Sequence, residues 1–258
     1  MENCPDKARY YGTPCKNSAK ALYAWVCLDL KEYGEAKKYA GEVIASGSYS
    51  LVQVTSGDDF ATKVFGEGLP TTSEEVFYLK TSMTDSKTWD YLSYTAHPQY
   101  KYDGVNTVCK TGYYTHYTDL NNPVIKNWDE KDLRRSLNIA HYAFSASTYG
   151  ENTCLLLKYR APNASGSKAQ IDIPLLRYTD VLLTYAEACA RTGEMTNAVE
   201  ALNQIKRRAY GADPMVANPE LDYKASDYAD YDQFFYGALL NEERYETFNE
   251  AKHWFFEE

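Results

Sequence analysis

Long apolar runs are missing from this 258-residue sequence. No stretch approaches the roughly 20 consecutive apolar residues that span a bilayer. The amino terminus, Met1-Glu2-Asn3-Cys4-Pro5-Asp6, has no apolar segment of the kind a secretory signal needs, so Cys4 lacks the context of a lipidation cysteine. Excess positive charge is absent too. With 27 basic against 36 acidic side chains, a net charge of −9 and a pI near 5.1, the chain repels phosphate backbones and bare anionic lipid. The six cysteines (Cys4, Cys15, Cys27, Cys109, Cys154 and Cys189) contain no CxxC pair and no zinc-like spacing. Four histidines, His97, His116, His141 and His253, are too scattered to suggest a metal site. There is no Gly-x-Ser-x-Gly elbow, HExxH, P-loop or GxGxxG. Neither a cofactor nor a metal is implied.

Tyrosine, by contrast, is abundant: 25 residues against nine Phe and four Trp. A flat apolar ring with a hydroxyl suits a surface that must be both sticky and wet. Two segments read as helix pairs, over 17–46 and 175–208. In the first, Asn17 or Ser18 can cap a helix running to about Lys31, with Leu22, Tyr23, Val26, Cys27 and Leu30 on one face. After Gly34, Ala36, Tyr39, Ala40, Val43 and Ile44 line its partner. In the second, Pro174 precedes a helix from about Leu175 to Arg191, and Ala198, Leu202 and Ile205 line a helix ending in Lys206-Arg207-Arg208. Basic residues there suit the negative helix terminus. Cys27 and Cys189 lie inside these apolar patterns and read as small hydrophobes.

The pairs match at an offset of 162 residues: Tyr23-Ala24 with Tyr185-Ala186, Cys27 with Cys189, Ala36 with Ala198, Ala40 with Leu202, Val43 with Ile205. Such spacing of small residues is the logic of the tetratricopeptide repeat, and a chance helix hairpin is the alternative. Repeats of this kind need about three units to bury their faces, and two are visible. From 55 to 170 lies an insertion rich in Tyr, Thr, Asn and Gly, with short strands expected at Ser73–Lys80 and Cys154–Tyr159. Insertions in helical scaffolds carry binding residues and fold over one face. The segment 231–258 reads as a terminal helix. The fold class is mainly α: tetratricopeptide-like helix pairs with a long irregular, Tyr-rich insertion and minor short strands.

Several stretches then resemble the SusD/RagB family. Ile173–Ala188, read as IPLLRYTDVLLTYAEA, is similar to the family's "iPxxRYADVLLMYAEA", with Thr179 and Thr184 as departures. Asn203–Ala209 stands where the family has "lNxvRxRA", and Glu242–Glu250 looks like its late "ERxxEfxxEG" helix. Beyond that the match weakens, with Ala251, His253 and Phe256 replacing the usual Gly, Arg and Asp. Ala19–Leu51 resembles the family's first helix pair here, and Asp132-Leu133-Arg134-Arg135 sits at its "DxRR". The resemblance implies one carboxy-terminal domain over 1–258, truncated at both ends. A lipid anchor would lie on a missing amino-terminal region, at the surface of the outer membrane. It implies a non-enzymatic glycan-binding lipoprotein, with a glycan ligand, that serves a SusC-like TonB-dependent transporter.

Sugar recognition needs aromatic platforms and hydroxyl-pairing groups. Trp89, Tyr91, Tyr94, Tyr100, Tyr102, Tyr113, Tyr114 and Tyr117 supply the first; Asp90, Asn106, His116, Asp119, Asn121 and Asn122 supply the second. The sharpest candidates are Trp89, Tyr91, Tyr94, Tyr113, Tyr114, Tyr117 and Asn121. Arg134-Arg135 and Arg207-Arg208 could instead hold a sulfate or uronate, or pair with the chain's own acids. Two other readings stay open. A glycoside hydrolase needs two carboxylates about 5–10 Å apart, and Asp119, Asp129, Glu130 and Asp132 lie among the aromatics. A peptide-binding repeat scaffold would account for the helix pairs but not for the insertion.

Overall fold

The computed structural model describes residues 3–85, 88, 90–108, 117–164 and 168–250. In chain order these form α1 (Lys16–Asp29), α2 (Tyr33–Ala45), α3 (Gly57–Val64), β1 (Glu75–Leu79), α4 (Leu92–Thr95), β2 (Thr118–Asp119), α5 (Pro123–Lys126) and α6 (Leu133–Asn138). Then follow β3 (Ile139–His141), β4 (Thr153–Leu156), β5 (Ile173–Arg177), α7 (Tyr178–Arg191), α8 (Met195–Ala209), α9 (Tyr231–Phe234), a π-helical turn (Phe235–Leu239) and α10 (Leu240–Glu246). Most of the regular structure is helix, as the periodicity predicts. The chain divides into two compact units: 1–53, 71–79 and 174–258 form a helical unit, and 54–70 with 80–173 form a mixed one.

In the helical unit, α1 packs on α2, α2 on α7, and α7 on α8. Small side chains set the closeness of these contacts. Ala24, Cys27, Ala36, Ala40 and Val43 in the first pair, and Ala186, Cys189, Ala198, Leu202 and Ile205 in the second, are all buried. Gly41 completes the α2–α7 contact, because a Cβ there would stand 3.2 Å from the Tyr185 ring. The face expected for α1 is different, however. Leu22, Tyr23, Val26 and Leu30 are 46%, 40%, 44% and 65% exposed, while Ala21, Ala24 and Cys27 point inward. Close helix approach selects the small residues of α1 and leaves the large ones outside.

Two boundaries also differ. Ile173–Arg177 is a strand that pairs with β1, so the helix begins at Tyr178 rather than Leu175. Proline holds the residue before it extended, and the helix starts only where Asp180 Oδ2 can accept the Arg177 N–H, at 2.6 Å. The segment 231–258 is interrupted: α9 opens into the π-helical turn, α10 closes at Glu246, and Asn249 adopts a left-handed φ of 65°. Residues 251–258 of that expected helix lie outside the described ones.

At the centre of the helical unit sits a buried ionic cluster. Arg177 Nη1 donates to Glu74 Oε2 (3.1 Å) and Glu246 Oε1 (2.9 Å), while its Nε and Nη2 reach Glu250 at 3.1 and 2.8 Å. Arg208 donates to Glu74 Oε1 and Glu246 Oε1, each at 2.6 Å. Burial by itself would lower the Arg177 pKa, but Glu250, Glu246 and Glu74 outweigh it and hold the group firmly cationic.

The mixed unit is organised around β4, which pairs antiparallel with β2 on one side and β3 on the other. Ser56 caps α3, accepting the Asp59 N–H at 3.0 Å. Gly57 lets α3 lie on α6, since any Cβ would come within 2.6 Å of the Leu137 nitrogen. Phe60 stacks on Phe65, which Tyr159 meets edge-on, with Trp128, Leu137 and Leu155 buried in the same unit. Lys80 and Thr81 both bond Asp172, at 2.8 and 2.9 Å, and tie the entry of the unit to its exit.

Candidate functional site

Five aromatic side chains converge on the mixed unit from three loops. Beyond β3 the chain stays extended, with the Tyr142 N–H donating to Thr153 O (2.9 Å) and the Phe144 N–H to Gly150 O (3.2 Å). Residues two apart on extended backbone share a face. Tyr142 and Phe144 accordingly stack, with centroids 5.9 Å apart and planes at 19°. Tyr117, immediately before β2, meets Phe144 at 5.5 Å. His97, in the loop after α4, lies 4.9 Å from Tyr142, 5.0 Å from Phe144 and 6.4 Å from Tyr117. Tyr100 stands edge-on to Tyr142 at 5.5 Å, positioned by a turn in which its N–H donates to His97 O.

The cluster is electrically neutral. Burial lowers the His97 pKa, and its Nδ1 accepts the Gln99 N–H at 3.2 Å, which leaves the ring proton on Nε2. Burial raises the pKa of Tyr100 and of Tyr117, so both phenols remain protonated donors. Tyr100, Tyr117, Tyr142 and Phe144 are half-buried while His97 is buried. The arrangement therefore offers apolar ring faces bordered by neutral O–H and N–H groups. Such a surface can stack on the apolar face of a pyranose and pair its hydroxyls.

The residues singled out from the sequence fall in several places. Trp89, Tyr113 and Tyr114 lie outside the described residues. Tyr117 is a member of the ring cluster, and Asn121 lies four residues beyond it, in the turn after β2. Asn121 is exposed, and its backbone N–H and side-chain amide both donate to Asp119 Oδ1, at 2.8 and 3.2 Å. Tyr91 instead packs edge-on against buried Tyr159 at 6.0 Å, and Tyr94 is exposed. His97, Tyr142 and Phe144 carried no flag in the sequence. The alternation Tyr142-x-Phe144 following a strand was the signal that could have found two of them.

The charged candidates have structural work. Asp132 accepts from Trp128 Nε1 (3.0 Å), from the Arg134 N–H (2.9 Å) and from Arg134 Nη2 (2.7 Å), all buried. Arg207 is held by Glu200 and Asp222, and Arg208 by the central cluster. The basic doublets thus pair largely with the chain's own acids. Of the acids near the aromatics, Asp129 Oδ1 accepts the Lys131 N–H at 2.9 Å, and Glu130 is exposed 3.7 Å from Arg135. Among the described residues no group of three His, Cys, Asp or Glu could hold a metal ion, and no helix is long and apolar enough to cross a membrane.

No curated protein matches the chain. Solved structures do. A SusD homolog from Bacteroides thetaiotaomicron is 19% identical with a TM-score of 0.70, over 97% of this chain and 55% of its own. Surface glycan-binding protein A from Bacteroides uniformis is 20% identical with a TM-score of 0.68, over 98% and 52%. Its namesake from Bacteroides fluxus is 20% identical with a TM-score of 0.66, over 98% and 53%. The chain thus shares their fold and spans about half the length of these solved chains. Residues 144–255, which contain β4, β5 and every element from α7 to α10, match the SusD family. With that segment matched and the fold shared along nearly the whole chain, the chain is similar to the SusD family over residues 144–255 and has the fold of SusD-like structures.

Proposed function

We propose that the protein binds oligosaccharide without cleaving it, on the ring cluster of His97, Tyr100, Tyr117, Tyr142 and Phe144. The cluster itself carries the reading: five uncharged rings from three loops, four of them half-exposed around the buried His97. Burying about 60 Å² of a pyranose face contributes roughly 1.5 kcal/mol at about 25 cal/mol per Å². Two or three such contacts, after ordering costs, give affinities from about millimolar to tens of micromolar. A capture protein that must also release its ligand needs that range. Two structures of the same fold are surface glycan-binding proteins. Hydrolysis is not proposed, because Asp132 is tied up by Trp128 and Arg134 and Asp119 by the Asn121 turn.

In the whole protein, the reading extends to a lipid-anchored position on the outer-membrane surface and delivery of glycan to a SusC-like TonB-dependent transporter. Affinity electrophoresis against a panel of neutral polysaccharides tests the binding step. Tyr142→Ala is expected to weaken retention about five- to thirtyfold, equivalent to about 1–2 kcal/mol, with an unchanged thermal melt. Retention that is unaffected by Tyr142→Ala, Phe144→Ala and Tyr117→Ala would place the site elsewhere. Release of reducing sugar that disappears in Asp119→Asn would make the protein an enzyme.

A further inference from the structure

The helical unit carries an open cleft of about 530 Å³, bounded by the end of α1, α7, α9 and the π-helical turn. A volume of that order accommodates a sugar ring or two. Three features meet there. Arg191, the last residue of α7, lays its guanidinium 3.3 Å from the centroid of Tyr231 and 5.2 Å from that of Tyr33. Its Nε donates to Glu187 Oε1 (3.3 Å), which also accepts the Tyr231 hydroxyl (2.8 Å). The fork is therefore held from below, while its two terminal amino groups make no hydrogen bond among the described residues.

Tyr236 supplies the second feature. Its ring is 69% exposed at the cleft and stands edge-on to Phe235 at 5.1 Å, while Phe235 stacks on Tyr231 at 5.5 Å. The third is the π-helical turn, Phe235–Leu239, which supplies both Phe235 and Tyr236. A wide turn gives up regular helical hydrogen bonding and re-aims the side chains on it, and such turns recur at functional sites. A pre-oriented guanidinium, an exposed ring and a break that places that ring together make a binding surface rather than a packing defect.

The charges lining the cleft select the ligand class. Lys31 and Arg191 give +2, while Asp29, Glu187 and Asp232 give −3, for a local sum of −1. An anion meets net repulsion, whereas a neutral polyol finds both donors and acceptors. We propose that this cleft is a second carbohydrate site, holding one neutral pyranose unit with its face on Tyr236 and its hydroxyls on Arg191 and Asp232. The inference shares its ligand class with the ring cluster but does not depend on it. Two sites on one chain would let it grip a polysaccharide at two points, so that avidity makes up for weak single contacts.

The test uses the 258-residue chain, with cellotriose, maltotriose, mannotriose and xylotriose as probes in saturation-transfer NMR and calorimetry. Wild type, Tyr142→Ala/Phe144→Ala, Tyr236→Ala and Arg191→Lys are compared, and thermal melts confirm that each is folded. The double variant is expected to retain one weak site for at least one probe. Adding Tyr236→Ala to it should lower that affinity about five- to tenfold, and Arg191→Lys should lower it by a similar factor. No binding by the double variant, or binding that neither change weakens, overturns the second site. If the first of these outcomes comes with binding by wild type, the ring cluster stands alone. If Tyr236→Ala removes binding that the double variant kept in full, the cleft stands and the ring cluster falls.

Discussion

Replacing Arg177 by Met should expose how much the central ionic cluster holds the helical unit together. Arg177 is fully buried, and its guanidinium donates to the carboxylates of Glu74, Glu246 and Glu250 and, at 3.2 Å, to the Glu246 carbonyl. Two guanidinium groups face three carboxylates, a net charge of −1; without Arg177 the same cavity holds one against three, a net charge of −2. Met fills most of the volume, so the loss is electrostatic rather than steric. Breaking a buried pair from one side costs about 3–5 kcal/mol. For a chain of this size, about 2–4 °C per kcal/mol makes that a fall in Tm of roughly 6–20 °C. The deficit should also depend on pH. Glu250, buried and deprived of the Arg177 guanidinium in the variant, takes up a proton more readily than in the unfolded chain. A folded-state pKa raised in this way favours folding at low pH and loses that advantage as pH rises. The gap between variant and wild type should therefore be narrower at pH 5 than at pH 7.5, and Arg177→Met/Glu250→Gln should recover part of it. A loss below about 1 kcal/mol, equal at both pH values, would show that the cluster specifies the fold without stabilising it.

Leu182, fully buried in α7, should cost about 2–5 kcal/mol when cut to Ala and leave oligosaccharide affinity in the folded fraction unchanged; chemical unfolding and calorimetry check both. His97 titrates below its ordinary value because it is buried. Stability should therefore be complete above the unfolded pKa of about 6.5 and fall as pH drops through the folded value, and His97→Phe should flatten that part of a stability–pH curve. Burial pushes the Cys189 thiol up to about 11 and the Cys154 thiol up to about 12. Both should stay unreactive to a disulfide reagent at about pH 8 in the native protein and react once denaturant is added, as mass spectrometry would show.

The helical part of the molecule was legible because its information is periodic. The six positions matched at the 162-residue offset, from Tyr23 with Tyr185 to Val43 with Ile205, recur at helical spacing, and apart from the tyrosine pair they are buried as that spacing predicts. The motif strings were legible for a related reason. Four of the charged residues within them, Arg177, Arg208, Glu246 and Glu250, join Glu74 in the ionic cluster, so part of what carries the resemblance is internal scaffold. Which face of α1 turns inward was not legible, because a count of apolar residues favours Leu22 and Leu30 while close packing favours Ala21 and Ala24. The strand before α7 was hidden by Pro174, a residue equally at home before a helix and in an edge strand. The ring cluster was least legible. His97, Tyr117 and Phe144 are joined only by tertiary structure, and their local sequences carry no repeat.

The ionic cluster also has a bearing on how the chain is made. Glu74 precedes β1, Arg177 ends β5, Arg208 lies in α8, and Glu246 lies at the end of α10. The interval from Glu74 to Glu246 is 172 residues, about 9 to 34 s of synthesis at roughly 5–20 residues per second. A nascent chain stopped at residue 245 would have to bury two guanidinium groups against Glu74 alone. The helical unit therefore gains little by closing early, and its assembly waits on the segment that carries Glu246 and Glu250. Premature release would yield a chain whose interior charge is of the wrong sign, a ready mark for proteolysis.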